Sequence, residues 1–600
     1  MQAVILAAGM GKRLKELTKD NTKCMVQVNG VTLIERMLRI LDKKNLHRIV
    51  IVVGYEGKKL IDYVNSLNIQ TQICYVENTI YDKTNNIYSL FLAKDYLVED
   101  DTLLLESDLI FEEKVIDLLL EDEWDTLALV DKFENWMDGT CLVLDSENNI
   151  TDFVPGKLLK FSEKAKYYKT VNIYKFSKQF TTELYLPFLE AYSVAMGNNE
   201  YYESVIKLIL MLDKNTIKAK KLQGELWYEI DDAQDLDIAE SLFAEDPHER
   251  YRRFVSRYGG YWRYPHLLDY CYLVNPYFPT TKMVDEIKSN FDILLRQYPS
   301  GMQVNSLLAA KNFGVLREHI VVGNGAAELI KELLEYVDGK IGVIRPTFEE
   351  YPNRCKDRCV VYDCTKDDFQ YNVDVITEYF GEKSVDAVVL VNPDNPTGHY
   401  LNKEECMKLL QWSRDNGVVL IVDESFGDFA EEAFTLMNEE ILTNYTNVYV
   451  IKSISKSFGV AGLRLGVLAS GNADVIDNIK KSIAIWNINS FAEFYMQIYE
   501  KYQAKYKEAL DKIKQDRRDF YEQLTAISEL RVYPSEANYF MCELLNGMTS
   551  ETLATELLKE NILIKDLTGK IENGKQYIRV AVRTKEENEK FVQVLKNIYV

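Results

Sequence analysis

Glycines and basic residues follow the first apolar run of the chain, a combination suited to binding phosphate groups. Gly9 and Gly11 stand in LAAGMGKRL, Lys12 and Arg13 come next, and Lys23 follows ten residues later. Glycines let backbone N–H groups close around a phosphate without a Cβ in the way, and basic side chains neutralise its charge. A glycine pair alone also occurs in many tight turns, so the loop needs support from elsewhere in the chain.

Two acidic motifs far from this loop supply that support. Asp108 lies near the end of LLLESDL, two residues after Glu106, and Asp231 stands in WYEIDDAQDL. A hard divalent cation prefers carboxylate oxygens and keeps waters and substrate phosphates as its other ligands. Either aspartate alone is equally well explained as a solvated residue at the end of a strand, whereas the pair together with the glycine loop favours a metal–nucleotide site.

Length and composition are those of a large globular protein. The chain has 600 residues, of which 47% are hydrophobic, and this length leaves room for several domains of roughly 150 residues. The 93 acidic residues outnumber the 71 basic ones, whereas nucleic-acid binding relies on Lys and Arg to neutralise phosphates. The balance argues against a nucleic-acid partner, but it permits a basic pocket for a small phosphorylated ligand.

Three features of the sequence predict where the protein works. No run of 18 apolar residues occurs, so no membrane-spanning helix is expected. The opening MQAVILAAGMGKR places its apolar run before its basic residues, the reverse of a secretory signal. Nine cysteines are scattered without metal-ligand spacing, which favours free thiols in a reducing cytosol. We therefore expect a cytoplasmic protein without a membrane partner.

Short β-branched runs alternate with amphipathic stretches in two series, which predicts mainly parallel sheets with helices on both faces. Between the series lies a stretch rich in Arg, Tyr and Trp, interpreted as an ordered connector. We expect two unrelated α/β domains at 1–243 and 264–600, joined by a connector at 244–263. The predicted elements are strands at Val4–Ala8, Arg48–Val53, Asp101–Leu105, Ile320–Val322, Lys340–Ile344, Ala387–Val391, Val418–Val422 and Val448–Ile451, and a helix at Thr32–Lys44.

The whole segment LAAGMGKRLKELTKDNTKCMVQVNG resembles the signature of sugar-phosphate and choline-phosphate nucleotidyltransferases. YDKTNNIYSL and the ENW around Trp136 are similar to motifs of the choline-phosphate cytidylyltransferase type. The resemblance implies a Rossmann-like domain in which Asp108 and Asp231 bind the Mg²⁺ that bridges the phosphates of CTP. Arg13 and Lys23 are then catalytic, because they stabilise charge on the α- and β-phosphates. The implied contacts in the nucleotide and acceptor cleft are Leu6, Ala8, Gly9, Gly11, Lys23, Asn85, Asn86 and Ser89.

The implied reaction joins a phosphate or phosphonate acceptor to CMP. An acceptor oxygen attacks the α-phosphorus of CTP and pyrophosphate leaves, which needs positioning and charge neutralisation more than covalent chemistry. Trp136, Tyr201, Tyr202 and Glu203 could form an aromatic and acidic pocket that binds the amine of the acceptor. A Tyr-Tyr-Glu run is more often a packed helix surface, so this second explanation stays open.

From about residue 264 the chain resembles the fold-type I pyridoxal-phosphate aminotransferases, above all histidinol-phosphate aminotransferase and the related threonine-phosphate decarboxylase. Five motifs stand in the order of that family, and their lysine, Lys456, follows Asp423 by 33 residues. Outside this context a lysine in a serine-rich run is usually a surface residue. The motifs are NGAAELI at 324–330, RPTFEEY at 345–351, NPDNPTG at 392–398, VDESF at 422–426 and SISKSFGVAGLRLG at 453–466.

The resemblance implies a role for each residue around the cofactor. Lys456 forms the Schiff base and later moves the proton. Asp423 keeps the pyridine nitrogen protonated, and Asn395 donates to the phenolic oxygen. Phe348 stacks on the ring. The residues that match the phosphate cup, part of it at a helix N-terminus, are Ala326, Ser453, Ser455 and Arg464.

The resemblance also implies residues on the substrate side. Arg579 in YIRVAVRT matches the arginine that pairs with the carboxylate of the amino donor. Arg583, four residues later, would share its face on a strand and either meets a phosphonate or forms a surface ion pair. Tyr277 in LVNPYFP matches a substrate-side segment. Tyr298 in QYPSG matches a tyrosine that reaches the cofactor phosphate of the neighbouring subunit, which implies a homodimer.

One position departs from the common pattern of the family. Phe426 stands where a tyrosine often bonds the phenolic oxygen of the cofactor, so Asn395 is left alone there. Phenylalanine also occurs at this place among decarboxylase-like relatives. The choice between transfer of an amino group and loss of a carboxyl group therefore stays open.

The fusion of the two domains favours consecutive steps on one metabolite that carries an amino group and a phosphate or phosphonate. The arrangement resembles bifunctional 2-aminoethylphosphonate cytidylyltransferase–transaminases. This implies amination of phosphonoacetaldehyde by an amino-acid donor, followed by formation of CMP-2-aminoethylphosphonate. One alternative is a phosphocholine or phosphoethanolamine cytidylyltransferase fused to a decarboxylase or aminotransferase for phosphorylated amino acids. Another is a regulatory protein built on inactive domains, against which the intact Lys456, Asp423, Asp108 and Asp231 argue.

Overall fold

The chain forms two compact units, Met1–Arg263 and Tyr264–Val600, in a computed structural model that describes residues 1–212 and 217–599. The expected connector at 244–263 belongs to the first unit, where Asp246 caps a helix that begins at Pro247. All nine cysteines are free thiols. Among the described residues no helix combines the length and the apolar character needed to cross a membrane.

The first unit is built on a nine-stranded sheet whose main path runs β10-β9-β11-β6-β1-β4-β5, with β8 beside β11 and β12 beside β8. Its strands and those of two small two-stranded sheets, β2-β3 and β7-β13, are β1 Gln2–Ala7, β2 Gln27–Val28, β3 Val31–Thr32, β4 Arg48–Val53, β5 Gln72–Glu77, β6 Thr102–Glu106, β7 Leu109–Phe111, β8 Leu127–Lys132, β9 Cys141–Leu144, β10 Ile150–Val154, β11 Tyr167–Phe176, β12 Lys218–Lys221 and β13 Trp227–Glu229. The helices are α1 Leu33–Asp42, α2 Gly57–Ser66, α3 Asn86–Leu92, α4 Lys94–Leu97, α5 Glu113–Leu120, α6 Lys178–Phe180, α7 Leu186–Met196, α8 Glu203–Leu212, α9 Ala233–Leu242 and α10 Pro247–Ser256.

The expectation of a mainly parallel sheet is wrong for half of this unit. Strands β1, β4, β5 and β6 are parallel, but β11 runs antiparallel to β6, β8 and β9. A parallel neighbour needs a long crossover connection, usually a helix, and the described connections from β8 to β11 contain only short 3₁₀ turns. At the change from parallel to antiparallel pairing, β1 and β6 lie side by side. The glycine loop follows the end of β1, and Asp108 follows the end of β6.

The second unit contains a seven-stranded sheet of order β15-β21-β20-β19-β18-β16-β17 in which only β21 is antiparallel to its neighbours. Four further strands, β22-β23-β26-β25, form a smaller sheet. The strands are β14 Leu268–Asp269, β15 Ile320–Asn324, β16 Ile341–Arg345, β17 Cys359–Asp363, β18 Ala387–Val391, β19 Val419–Asp423, β20 Val448–Ser453, β21 Leu465–Ala469, β22 Leu530–Val532, β23 Tyr539–Leu544, β24 Ile562–Leu563, β25 Lys565–Asp566 and β26 Tyr577–Ala581. The helices are α11 Thr281–Ser289, α12 Phe291–Arg296, α13 Met302–Phe313, α14 Ala326–Tyr336, α15 Glu350–Cys355, α16 Val373–Lys383, α17 Lys403–Asp415, α18 Glu439–Asn444, α19 Ala473–Ser482, α20 Ser490–Ile498, α21 Gln503–Thr525, α22 Ser550–Lys559 and α23 Lys585–Tyr599.

The central strands of both units are buried on both faces. β1 and β18 are enclosed along their whole length, as expected for near-continuous apolar runs covered by helices on each side. Their carboxyl ends are therefore held rigidly, and the candidate functional residues follow those ends in each unit. Positions at the ends of open α/β sheets are where ligands commonly bind.

Candidate active sites

The glycine loop opens onto a cavity of about 920 Å³ in the first unit. Gly11 has a φ of +61°, and a Cβ there would lie 3.0 Å from the side chains of Lys23 and Thr18, so the loop folds closely over Lys23. The cavity contains every nucleotide and acceptor contact expected on this loop and on the 85–89 segment. These lining residues are Leu6, Ala8, Gly9, Gly11, Arg13, Lys23, Asn85, Asn86 and Ser89.

Three carboxylates meet beside the loop. β7 and β13 pair antiparallel, and the Ile230 N–H donates to the Asp108 carbonyl over 3.0 Å. This pairing brings one oxygen each of Asp108, Glu229 and Asp231 within 4.8 Å of one another. Sequence reasoning missed Glu229, although it lies two residues before Asp231 at the end of β13. The set suits a hard divalent cation, since its ligands are carboxylate oxygens, and the Oδ1 atom of Asp108 is buried without a hydrogen-bond partner.

Basic side chains neutralise these carboxylates. The Lys23 Nζ lies 2.5 Å from Asp108 Oδ2 and 2.7 Å from Asp231 Oδ1, and an Arg13 nitrogen lies 2.7 Å from the same Asp231 oxygen. Burial opposes the charge of Lys23, but the two aspartates outweigh it and raise the pKa of Lys23 above its ordinary value. Lys169, a buried residue that sequence reasoning also missed, places its Nζ 3.0 Å from Glu229 Oε2.

Another part of the cavity wall is acidic. Glu106 accepts from the Asn86 amide over 3.0 Å, and Glu203 at the start of α8 has a buried Oε2 without a hydrogen-bond partner. Burial raises the pKa of Glu203 to about 7, and burial and the charge of Asp108 raise the pKa of Glu106. The charge of Lys169, whose ammonium is paired with Glu229, also acts on Glu203. A wall with these two carboxyl groups fits a cationic group of a ligand.

The structure does not bring the expected aromatic pocket together. Trp136 lies outside the residues that line the cavity and stacks on Tyr228, with ring centroids 5.0 Å apart and planes 10° apart. The Arg263 guanidinium covers its ring at 4.9 Å. Tyr202 is packed in the core, whereas Tyr201 and Glu203 line the cavity. The wall at this place is therefore carboxylate-rich, with one tyrosine.

In the second unit, Asp423 is the last residue of β19, and Lys456 follows the end of the neighbouring strand β20. Burial, followed by the charges of Arg579 and Arg464, lowers the pKa of Lys456 to about 8. Asp423 is buried and accepts hydrogen bonds from the Tyr351 hydroxyl and the Ser425 N–H, both over 2.9 Å. Tyr351 was not identified from the sequence, although it closes the RPTFEEY motif. The carboxylate of Asp423 is therefore fixed in direction.

A cradle for a phosphate lies at the N-terminus of α14. Gly325 caps this helix with a φ of +77°, and a Cβ there would lie 2.5 Å from an Arg464 guanidinium nitrogen. The Ser455 Oγ is buried without a partner, and the Ser453 N–H is held by the Ser425 hydroxyl over 3.0 Å. A helix N-terminus with an arginine and a free hydroxyl suits a phosphate ester. The residues present therefore fit pyridoxal phosphate.

Arg579 lies in β26 and is buried. It donates to Asn395 Oδ1 over 2.5 Å and to the Cys271 carbonyl over 2.8 Å, while its Nε has no partner. Phe348 is 38% exposed and packs edge-on against Tyr351, with centroids 6.3 Å apart. The buried guanidinium retains a free N–H, as a site for a carboxylate requires.

Three further expected residues, Tyr277, Tyr298 and Phe426, make contacts of their own. The Tyr277 hydroxyl donates to Asp516 over 2.5 Å. Tyr298 is 78% exposed and stacks on Trp486 at 4.3 Å. Phe426 is buried against the Tyr539 ring.

Arg583 does not share the face of Arg579 on a strand, because β26 ends at Ala581. Its guanidinium donates to both oxygens of Glu587, over 3.1 and 2.9 Å, and to the carbonyl of Asp269. Of the two explanations offered from the sequence, the ion pair is the one that accounts for the N–H donors of Arg583.

Fold and sites together define a nucleotidyltransferase domain followed by a fold-type I aminotransferase domain, as expected from the sequence. Residues 3–137 match the family of MobA-like NTP transferase domains, and residues 304–595 match aminotransferase class I and II. The chain belongs to the family of the CMP-5'-(3-aminopropyl)phosphonate synthase of Streptomyces rubellomurinus. The two are 31% identical over 602 residues, covering 100% of this chain and 95% of the relative.

Further relatives match the second unit. The L-serine phosphate decarboxylase of Sulfurospirillum multivorans is 34% identical over 55% of this chain and 88% of its own length. The solved structure of a decarboxylase from the same organism has a TM-score of 0.52 at 32% identity, covering 56% of this chain and 90% of that one. The histidinol-phosphate aminotransferase of Clostridium acetobutylicum has a TM-score of 0.50 at 29% identity, covering 55% and 99%. The protein is therefore an enzyme with a pyridoxal-phosphate fold in its second half.

Proposed function

We propose that the protein is a bifunctional enzyme of phosphonate biosynthesis. The first unit transfers CMP from CTP to 2-aminoethylphosphonate, which yields CMP-2-aminoethylphosphonate and pyrophosphate. The second unit supplies 2-aminoethylphosphonate by transamination of phosphonoacetaldehyde. The observation that carries the proposal is the cavity of the first unit, which has a basic loop and an acidic wall. A full-length relative named for an aminopropylphosphonate product supports it.

The basic part of the cavity suits the triphosphate. An oxygen of the phosphonate forms a bond to the α-phosphorus of CTP, and the bond from that phosphorus to the α–β bridging oxygen breaks with pyrophosphate as the leaving group. Arg13 and Lys23 neutralise the charge that develops on these phosphates. Asp108 and Asp231, with Glu229 beside them, would hold Mg²⁺, which supplies charge neutralisation between the phosphates.

The acidic wall suits a primary ammonium group. Glu106 and Glu203 line the cavity with carboxyl oxygens, and Glu203 Oε2 has no partner. A primary ammonium donates three hydrogen bonds and can satisfy such oxygens. A trimethylammonium group donates none and is usually bound by a cage of aromatic faces, whereas Trp136 stacks on Tyr228 outside the cavity. We therefore prefer 2-aminoethylphosphonate, or a close homologue, to phosphocholine.

The second unit carries out chemistry at an amino-bearing carbon. Pyridoxal phosphate, when bound, supplies the electron sink for this carbon. The Lys456 amine, with a pKa of about 8, is suited to take and return a proton near neutral pH. Asp423, oriented by Tyr351 and Ser425, would keep the pyridine nitrogen protonated when the cofactor is bound, and Arg579 would bind the carboxylate of the amino donor.

Decarboxylation is the second candidate for this unit. It is supported by the similarity to an L-serine phosphate decarboxylase. It is also supported by Phe426, which has no hydroxyl where many aminotransferases have a tyrosine that bonds the cofactor. In that reaction an amino acid carrying a phosphonate would lose CO₂ and give the same kind of aminophosphonate. Arg579 would then bind the carboxylate that leaves.

We also propose that the enzyme is a cytoplasmic homodimer. Tyr298 and Trp486 stack in the open on the second unit, where a second copy would cover them. In that dimer Tyr298 would help to hold the cofactor phosphate of the partner subunit. Nine free thiols fit a reducing compartment.

The first experiment measures pyrophosphate release from CTP and Mg²⁺ with four acceptors: 2-aminoethylphosphonate, 3-aminopropylphosphonate, phosphoethanolamine and phosphocholine. We expect preference for the aminophosphonates, and Glu203→Gln should raise their KM at least about tenfold, since a hydrogen bond to a charged group is lost. Glu190→Gln, on the exposed face of α7, is the control. Preference for phosphocholine would refute the proposal. Measuring the products of the second unit then separates the two reactions, because transamination yields a keto acid from the amino donor and decarboxylation releases CO₂.

A further inference from the structure

Each carboxylate that could hold the divalent cation is already paired with a cation of the chain. Lys23 contacts Asp108 and Asp231 together. Arg13 contacts Asp231 from the solvent side, with 60% of its own side chain exposed. Lys169 contacts Glu229. The metal-binding group is therefore close to electrically balanced by side chains alone.

Lys23 differs from the other two cations because it lies between two carboxylates. Its Nζ is 2.5 and 2.7 Å from one oxygen of each aspartate. Mg²⁺ binds carboxylate oxygens at about 2.0–2.1 Å, so an ion bridging the same two oxygens needs the space of the ammonium. Lys23 and a cation that bridges these two oxygens, Asp108 Oδ2 and Asp231 Oδ1, therefore exclude each other.

The backbone holds Lys23 in this position. Lys23 begins a short 3₁₀ turn, in which the Met25 N–H donates to the Thr22 carbonyl over 3.0 Å. The Thr22 hydroxyl lies 3.4 Å from the Gly9 carbonyl, and Gly11 leaves no room between itself and the Lys23 side chain. Lys23 can leave the aspartates only by movement of its own side chain, toward the cavity that the glycine loop lines.

We infer that Lys23 occupies the place of the bridging metal until a nucleotide arrives, and thereby makes metal binding depend on CTP. The inference rests on the proposed cytidylyl transfer. Moving Lys23 away exposes two close carboxylates, which is unfavourable unless a new cation replaces it. A triphosphate offers Lys23 and Arg13 new anionic partners while the metal takes the aspartate oxygens. Metal and nucleotide must then favour each other to the same degree.

Binding of Mn²⁺, a paramagnetic substitute for Mg²⁺, tests this coupling without turnover. The full-length protein is titrated with Mn²⁺ and free ion is measured by electron paramagnetic resonance, with and without α,β-methylene-CTP, and the Mn²⁺ that the analogue binds in a titration without protein is subtracted. For wild type we expect the analogue to tighten Mn²⁺ binding at least tenfold. For Lys23→Met we expect binding without the analogue to be at least tenfold tighter than in wild type. The effect of the analogue should nearly disappear in that variant.

Two matched variants separate position from charge. Arg13→Met removes the same charge beside the same Asp231 oxygen but leaves the space between the aspartates filled, so it should change Mn²⁺ binding less than threefold. Lys23→Arg changes the same residue but keeps a cation between the aspartates, so it separates loss of the cation from substitution at this position. It should bind Mn²⁺ weakly without nucleotide.

The results distinguish failure of this inference from failure of the proposed function. Equal tightening in Arg13→Met and Lys23→Met, or no change in Lys23→Met while the analogue still acts on wild type, overturns the role of Lys23 alone. Absence of Mn²⁺ binding in every variant, even with the analogue, overturns the metal site and cytidylyl transfer with it.

Discussion

The two units each contain a largely enclosed lysine, and the surroundings push the two in opposite directions. Lys23 lies between Asp108 and Asp231, which raise its pKa despite burial. Lys456 is subject to burial and to the charges of Arg579 and Arg464, which lower its pKa to about 8. The same side chain is thus fixed as a permanent cation in one unit and made available as a free amine in the other.

The difference follows from what each site is expected to bind. The first site must neutralise phosphates, and a lysine serves there only while it is charged. The second must form a covalent bond to a cofactor and move protons, and only the neutral amine is a nucleophile. Neighbouring carboxylates keep Lys23 charged, whereas burial together with neighbouring arginines favours the neutral amine of Lys456.

The largest effect is expected from removing one site at a time. Lys456→Ala should lower the rate of the amino-group reaction by about 10⁴-fold, the upper range for loss of a proton-transferring group, with cytidylyl transfer unchanged. Asp108→Ala should lower pyrophosphate release by about 10²–10³-fold, the effect of losing one strong electrostatic contact, with the amino-group reaction unchanged. Both activities are measured on the same preparations. If either variant loses both reactions, the two sites are not independent.

Tyr351→Phe tests the orientation of Asp423. Burial raises the pKa of Asp423, and the Tyr351 hydroxyl, which donates to Asp423 Oδ2 over 2.9 Å, opposes this rise. Loss of the hydroxyl therefore makes the carboxylate easier to protonate. We expect the amino-group reaction to slow by about 10–100-fold, because a hydrogen bond to a charged group contributes about 1.5–3 kcal/mol.

The readout that separates this role from loss of packing is the absorbance of the bound cofactor, titrated with pH. Its pH profile should move in Tyr351→Phe. Tyr362→Phe, which removes a hydroxyl bonded to Asp367 over 2.6 Å, is the control. An unshifted profile in Tyr351→Phe would mean that the hydroxyl does not act on Asp423.

The pH dependence of cofactor capture sharpens the contrast between the lysines. The pKa of Lys456 is lowered to about 8, so the neutral amine is scarce below pH 8 and predominates above it. The rate at which apoprotein captures pyridoxal phosphate should rise about tenfold per pH unit up to about pH 8 and then level off.

Arg579→Leu removes one of the charges that lower this pKa, so the midpoint should move upward, by about one unit for a charge of this kind. Arg583→Leu, whose guanidinium is paired with Glu587, should leave it in place. An unchanged midpoint in Arg579→Leu would show that the charge of Arg579 does not lower the pKa of Lys456.

Most of the fold follows from local sequence signals. The predicted strands at Arg48–Val53 and Ala387–Val391 match the structure residue for residue, and the helix expected at Thr32–Lys44 spans Leu33–Asp42 because Thr32 is its N-cap. The direction of the strands could not be predicted from the sequence as well as their positions. The antiparallel pairings of β11 join segments distant in the chain, and hydrophobic periodicity contains no information about the direction of a partner.

Residues within signature motifs were also identified from the sequence, whereas residues placed only by tertiary pairing were not. Asp108 and Asp231 lie within recognisable motifs. Lys169 is a lysine in the mostly apolar strand β11, and Glu229 is the last residue of a short strand, so neither has a sequence signal of its own. Their pairing depends on chain packing that brings β11 beside β13. The reverse error occurred at Trp136, where a motif suggested a ligand contact and the structure places a stacked ring.

Trp136→Phe is expected to have the smallest effect, and it tests whether the first unit recognises its acceptor by charge. The ring contacts Tyr228 and Arg263 and lies outside the cavity lining. The substitution should therefore cost about 1 kcal/mol of unfolding free energy, the scale of an aromatic pair, measured by denaturant titration. Acceptor preference should not change, because Glu106 and Glu203 remain in the wall. A selective rise in KM for the amine-bearing acceptor would instead mean that an aromatic face takes part in binding. Recognition in the first unit would then not depend on charge alone.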